Sequence, residues 1–179
     1  TDSGRAYLGS IWGGKLDSGD SIGVAGREKE LTASIKQLWR AGTHAQSAAG
    51  GDAVALILDR ELDLSRGAVL AKRGTSFISD EYLVGKILWL DPAIEHQTEW
   101  RGLLKIHHQE TQSIVSVKAA SGIVVTAEIE TGSPIICLPA AEPTRANEFL
   151  LIDSESTKTV GVGFISRGGA GENDIGFSI

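Results

Sequence analysis

Cysteine is almost missing from this 179-residue chain: Cys137 stands alone inside Ile135-Ile136-Cys137-Leu138. A lone cysteine excludes an internal disulfide, and its apolar neighbours mark it as a small core residue rather than a nucleophile, which needs an accessible position beside a base. Long hydrophobic runs are missing too. No segment approaches the roughly 20 apolar residues of a membrane span, and the first residues lack the basic start and apolar core of a signal peptide, so the expected location is cytoplasmic with no membrane partner. There is no basic run. Lys and Arg number 17 against 23 Asp and Glu, a net charge of −6. That balance argues against a nonspecific nucleic-acid binder, which neutralises phosphates with clustered cations. Finally, no capped amphipathic helix of ordinary length is present.

What the chain does have is a succession of short apolar runs separated by Gly, Pro, Asn, Asp or Ser. Strands are predicted over residues 5–12, 21–25, 31–39, 53–59, 81–90, 102–107, 113–119, 123–130, 148–152 and 158–166. This spacing predicts an all-β protein of barrels or sandwiches. Residues 31–39 fit both a helical stripe and alternation; Thr32, Ser34 and Lys36 alternate with Ala33 and Ile35, and Thr and Ile favour strands. A turn at Asp63-Leu64-Ser65-Arg66-Gly67 and a linker near residues 71–74 divide the chain into a first unit of residues 1–73 and a second of 74–166. Residues 167–179, rich in glycine and polar groups, are expected to be a flexible tail.

Residues 9–22 (Gly-Ser-Ile-Trp-Gly-Gly-Lys-Leu-Asp-Ser-Gly-Asp-Ser-Ile) support two incompatible readings. Gly9, Gly14 and Lys15 have the spacing of a phosphate-cradling loop. Leu16, however, stands where that loop needs a hydroxyl for Mg²⁺, and Asp17-Ser18-Gly19-Asp20 would break the helix that must follow. The other reading is a barrel segment. Gly13-Gly14 then make a tight reversal after the first strand, Gly13, Gly14 and Gly19 take positive φ, and Leu16 and Ile22 face inward.

The pattern G-x-I-x-x-G-x-L-x-x-G-D-x-I resembles the start of the second, β-barrel domain of translational GTPases. Downstream, Ala53-Val-Ala-Leu-Ile-Leu-Asp-Arg-Glu-Leu-Asp63-Leu-Ser-Arg66-Gly67 is similar to the close of that barrel in the large, GTP-binding subunit of sulfate adenylyltransferase. Val84-Gly-Lys-Ile-Leu-Trp89-Leu-Asp91, Glu148-Phe-Leu-Leu-Ile-Asp153 and Thr159-Val-Gly-Val-Gly163-Phe-Ile165 resemble its third domain. Residues 135–146 match only loosely, and the strand that normally precedes Arg5 is missing. The resemblance implies two consecutive β-barrels like domains 2 and 3 of translational GTPases. It also implies no catalytic, cofactor or metal residues in these barrels, with GTP and Mg²⁺ belonging to a GTPase domain that this sequence does not show. The sequence contains no complete phosphate loop and no Asn-Lys-x-Asp base-recognition motif, so a piece of such a subunit, or a paralogue without its motor, is expected. The implied partners are that GTPase domain and the small catalytic subunit, which makes adenosine 5′-phosphosulfate from ATP and sulfate. Two alternatives stand beside this: a translation-type barrel module that holds aminoacylated transfer RNA, and a free-standing protein-interaction module.

Several residues invite a chemical reading. His107 and His108, adjacent on a predicted strand, point to opposite faces, so one ion can hardly take both. His44 and His96 fall in loops and read as surface residues. Glu128 and Glu130 share a strand face with Thr126, where a solvated outer face outweighs a catalytic pair. Arg66 would pair with Asp63 or a strand carbonyl, or contact the GTPase domain. Trp12, Trp39, Trp89 and Trp100 are a large share of the aromatic residues. Trp100, between Glu99 and Arg101 in a stretch read as a polar loop, is the interface candidate, together with Arg66 and Arg101.

Overall fold

A computed structural model describes residues 4–25, 31–138 and 145–168. Strands account for all of its regular structure, and the chain divides into one unit ending at Phe77 and another beginning at Ile78. The region predicted as a flexible tail lies outside the described residues from 169 onward, while Gly168 closes the last strand.

The first unit holds β1 (Ala6–Ser10), β2 (Lys15–Asp17), β3 (Ser21–Val24), β4 (Thr32–Arg40), β5 (Thr43–Ala45), β6 (Ser47–Ala49), β7 (Ala53–Leu58) and β8 (Leu70–Lys72). Its main sheet runs β1-β7-β4-β3-β8 with β5 hung on β4, and β2 pairs with β6 in a separate two-stranded sheet. The ambiguous segment is a strand, β4, because Ala33, Ile35 and Leu38 drop into the core while Thr32 and Lys36 stay outside it. Around them pack Ile22, Val24, Val54, Leu56 and Leu58. Asp20, the acid of the Gly-Asp step, accepts the Asp17 amide at 2.8 Å and the Lys72 ammonium at 2.8 Å, which ties the β2–β3 turn to β8.

The second unit is a closed barrel of β9 (Ile78–Trp89), β10 (Glu99–Ile106), β11 (Gln109–Ser121), β12 (Val124–Cys137), β13 (Glu148–Ile152) and β14 (Thr159–Gly168), in ring order β10-β11-β12-β9-β14-β13. Closure leaves no free sheet edge in this ring. Residues 135–137 join β12 after a register shift between Glu130 and Ile135. Asn147 is fully buried; its side-chain amide donates to the carbonyls of Leu138 and Ile165 and its oxygen accepts the Leu138 N–H, so both its polar atoms are partnered. The interior is filled by Leu83, Ile87, Trp89, Leu104, Ile129, Phe149 and their neighbours.

Candidate functional site

The 9–22 segment is structural. Lys15 lies on β2, opposite Ala49, and its ammonium sits 2.8 Å from Asp17. A turn and β3 follow it, with no helix among the described residues. The predicted reversal at Gly13-Gly14 does not form a hairpin, since β1 pairs with β7 and β2 with β6. Positive φ falls on Gly14 (71°) and Gly19 (94°), not on Gly13. Ile22 is buried, and Leu16 packs against the same core.

Cys137 is buried, and desolvation pushes its thiol up to about 12, far from a reactive thiolate. His107 and His108 form the two-residue turn between β10 and β11 rather than the end of a strand, with His107 at a φ of 52°. The Nε2 atom of His107 lies 3.3 Å from the Ala146 carbonyl, and burial holds its pKa below the ordinary histidine value. Glu128 and Glu130 are exposed on the outside of β12, with Glu128 bridged to Lys118 at 2.8 Å. Among the described residues, no three His, Cys, Asp or Glu side chains converge as a metal site.

Of the interface candidates, Arg66 is exposed in the turn closed by the Ala68 N–H to Ser65 carbonyl bond, without an ion pair to Asp63 among the described residues. Arg101 is exposed and bridged to Glu99 at 3.0 Å. Trp100 requires a correction. It belongs to β10, not to a polar loop, and is only 6% exposed. Its ring meets Trp89 edge-on at 6.0 Å and lies over Gly102, where any Cβ would strike it. The charged neighbours that suggested a loop are simply the outward half of an alternating strand.

Sequence reasoning missed two apolar surfaces, one on each unit. On the first, Leu8, Ala55 and Trp39 stand in register across β1, β7 and β4. Leu8 is 84% exposed and Trp39 37%; with Ala55 and Ile57 between and beside them they line a groove of about 530 Å³. On the second, one row of register partners crosses five strands of the barrel: Lys105, Leu150, Val162, Leu88 and Val124. The adjoining row carries Glu148, Phe164 and Lys86. Together they line a groove of about 770 Å³ that His107 and Arg145 also border. A signal for it was present in Thr159-Val-Gly-Val-Gly-Phe. Gly163 lies against Phe149 with no room for a Cβ and Gly161 lies close against Trp89, so this register faces the core and Val162 and Phe164 go outward.

No family model matches the chain. Among curated proteins it is 28% identical over 181 residues to sulfate adenylyltransferase subunit 1 of Agrobacterium fabrum, covering 92% of this chain and 36% of that protein. The bifunctional enzyme CysN/CysC of Xylella fastidiosa is 24% identical over 179 residues (92% of this chain, 28% of that protein). The bifunctional enzyme NodQ of Rhizobium tropici is 29% identical over 177 residues (90% and 28%). The chain resembles the large subunit of sulfate adenylyltransferase. It spans about a third of the length of that subunit. Among solved structures, Sup35 complexed with GDP superposes with a TM-score of 0.73 at 19% identity, over 93% of this chain and 45% of that one. Sup35 complexed with GMPPNP gives 0.71 at 19% identity, over 91% and 44%. Those likenesses show the fold: the all-β architecture expected of domains 2 and 3 of translational GTPases. Within the described residues no helix is long and apolar enough to cross a membrane.

Proposed function

We propose that this chain is the two-barrel portion of a GTP-dependent sulfate adenylyltransferase large subunit and makes or breaks no bond itself. Its barrels hold a GTPase domain and the small catalytic subunit in an arrangement that changes with the bound nucleotide, so that GTP hydrolysis drives adenylyl transfer from ATP to sulfate. Coupling of this kind requires two alternative interfaces of different free energy. The observation that carries the reading is similarity to subunit 1 along nine-tenths of the chain, and three residues that could carry chemistry have structural roles instead. Asp20 ties a turn to β8, Cys137 is inert in a core, and Lys15 is bridged on a strand.

Nucleotide binding by the isolated chain tests this. Titration calorimetry with GTP and Mg²⁺ is expected to show no binding at micromolar nucleotide, and the chain with ATP and sulfate is expected to make no adenosine 5′-phosphosulfate. Tight GTP binding, or phosphosulfate formed unaided, would contradict the reading.

A further inference from the structure

The outer wall of the second unit is not uniform. Alternation on a barrel strand puts polar groups outside, and the middle of the β11–β12 ladder largely follows this with Ser116, Lys118, Glu128 and Glu130. The wall made by β13, β14 and β9 does not. Leu150, Val162, Leu88 and Val124 form an unbroken apolar row, with Leu150 and Val124 each 40% exposed. Leu90 and Ile123, more than half exposed, follow at the end of the ladder where β9 stops and β12 starts. Isolated exposed apolar side chains are ordinary, but a contiguous row with a polar rim marks an interaction face.

The rim has a sign. Lys105 ends the row, Lys86 stands beside Phe164, and Arg145 borders the same groove, against one carboxylate, Glu148, among the described lining residues. Lys105 is drawn partly to Glu110 at 3.6 Å, a half-exposed pair that a partner carboxylate can replace. A cationic border on a chain of net charge −6 is a local reversal, which attracts anionic partners that the rest of the surface repels. Of the two phenylalanines that line it, Phe149 is buried and only Phe164 reaches the surface, so the floor offers little of the stacking platform on which single-stranded nucleic acids depend. Protein side chains fit it: apolar anchors for the row and carboxylates for the lysines.

We propose that this groove is the docking site for an apolar protein segment flanked by carboxylates and, resting on the function proposed above, that the segment belongs to the small catalytic subunit. Burial of the row supplies the attraction, while Lys86, Lys105 and Arg145 select an acidic border and speed the encounter.

The experiment is calorimetric titration of the chain with the small subunit from the same source organism, at about 50 and 300 mM salt, for the natural sequence and three variants. Leu150→Asp, and the pair Lys86→Glu with Lys105→Glu, are expected to weaken binding at least tenfold. Lys118→Glu on the polar wall is expected to leave it unchanged, and added salt to weaken the natural complex. Near-ultraviolet circular dichroism of the Trp89–Trp100 pair checks that each variant is folded, and the lysine pair, being exposed, keeps the test open if Leu150→Asp is not. Binding that both groove variants leave intact would overturn this inference alone. No binding by the natural chain would overturn the proposed function and this inference with it. A concentration-dependent dimer of the chain that Leu150→Asp abolishes would assign the face to a second copy and overturn the inference.

Discussion

His107 shows how a single position can look functional in sequence and be structural in space. The His107-His108 pair invites a metal reading that opposite strand faces argue against, and the fold places it not on a strand but in the turn between β10 and β11, with the first ring half-buried against the 145–146 backbone. Desolvation keeps that ring's pKa below 6.5. The unfolded chain therefore binds a proton at a pH where the native one does not. The resulting stability is present above 6.5 and is lost as pH falls through that value toward the folded pKa. Asp20, Asp52 and Asp153, held below 3.8 by hydrogen bonds, withdraw their contributions only in more acidic solution. Melting temperature should thus fall between pH 7.5 and 5.5, and His107→Asn, which suits the left-handed backbone and does not titrate, should flatten that fall. An unchanged slope in the variant would contradict the assignment. Cys137 was legible as a core residue because it stands in an apolar run, of which Ile135 and Cys137 face the core. Trp100 was not, because Glu99 and Arg101 on either side point away from the ring that they seemed to accompany.

At the scale of elements, the long strands were readable and the short ones were not. Alternation within β4, β7, β10 and β11 is local information, whereas β2, β5, β6 and β8 span three residues each and exist only because of a partner elsewhere in the chain, as Lys15–Asp17 does against Ser47–Ala49. The same non-local logic governs β1. Ile11 donates to Asp52 at 2.9 Å on the β1–β7 ladder, so the bonded pairs continue at Gly9–Val54 and Tyr7–Leu56. The N–H of Leu8 then points to the edge that carries no strand among the described residues. Proline is tolerated where the lost N–H faces outward and not where it joins the ladder. Leu8→Pro should cost about 1 kcal/mol or less, while Gly9→Pro should cost about 2–3 kcal/mol by orphaning the Val54 carbonyl. Equal losses in urea denaturation would disprove the register. In β14 the inward glycines set the outer face. Gly163→Ala, whose Cβ would press on Phe149 and the Lys86 carbonyl, should destabilise by about 2 kcal/mol or more in the same measurement, since overpacking forces a backbone shift. A neutral Gly163→Ala would show that the glycine is not what turns Val162 and Phe164 outward.

For the whole molecule, the chain carries a fold shared with translational GTPases and a sequence similar to sulfate adenylyltransferase subunit 1, about a third of whose length it spans. Architecture was legible because turn glycines and short apolar runs report β structure directly, and the Asp-Leu-Ser-Arg-Gly step narrowed the resemblance. The two apolar surfaces were hidden because they arise from register across strands up to 74 residues apart, as between Leu88 and Val162, and no window along the chain contains them. Fold alone does not specify function, so the central claim concerns coupling. It is tested most directly by reconstitution: the small subunit and a separately produced GTPase domain, with ATP, sulfate and GTP, assayed for adenosine 5′-phosphosulfate with and without this chain. The account predicts that adding the chain makes synthesis depend on GTP hydrolysis and raises product beyond the level reached without it. Synthesis equally dependent on GTP in its absence, or indifferent to GTP in its presence, would contradict it.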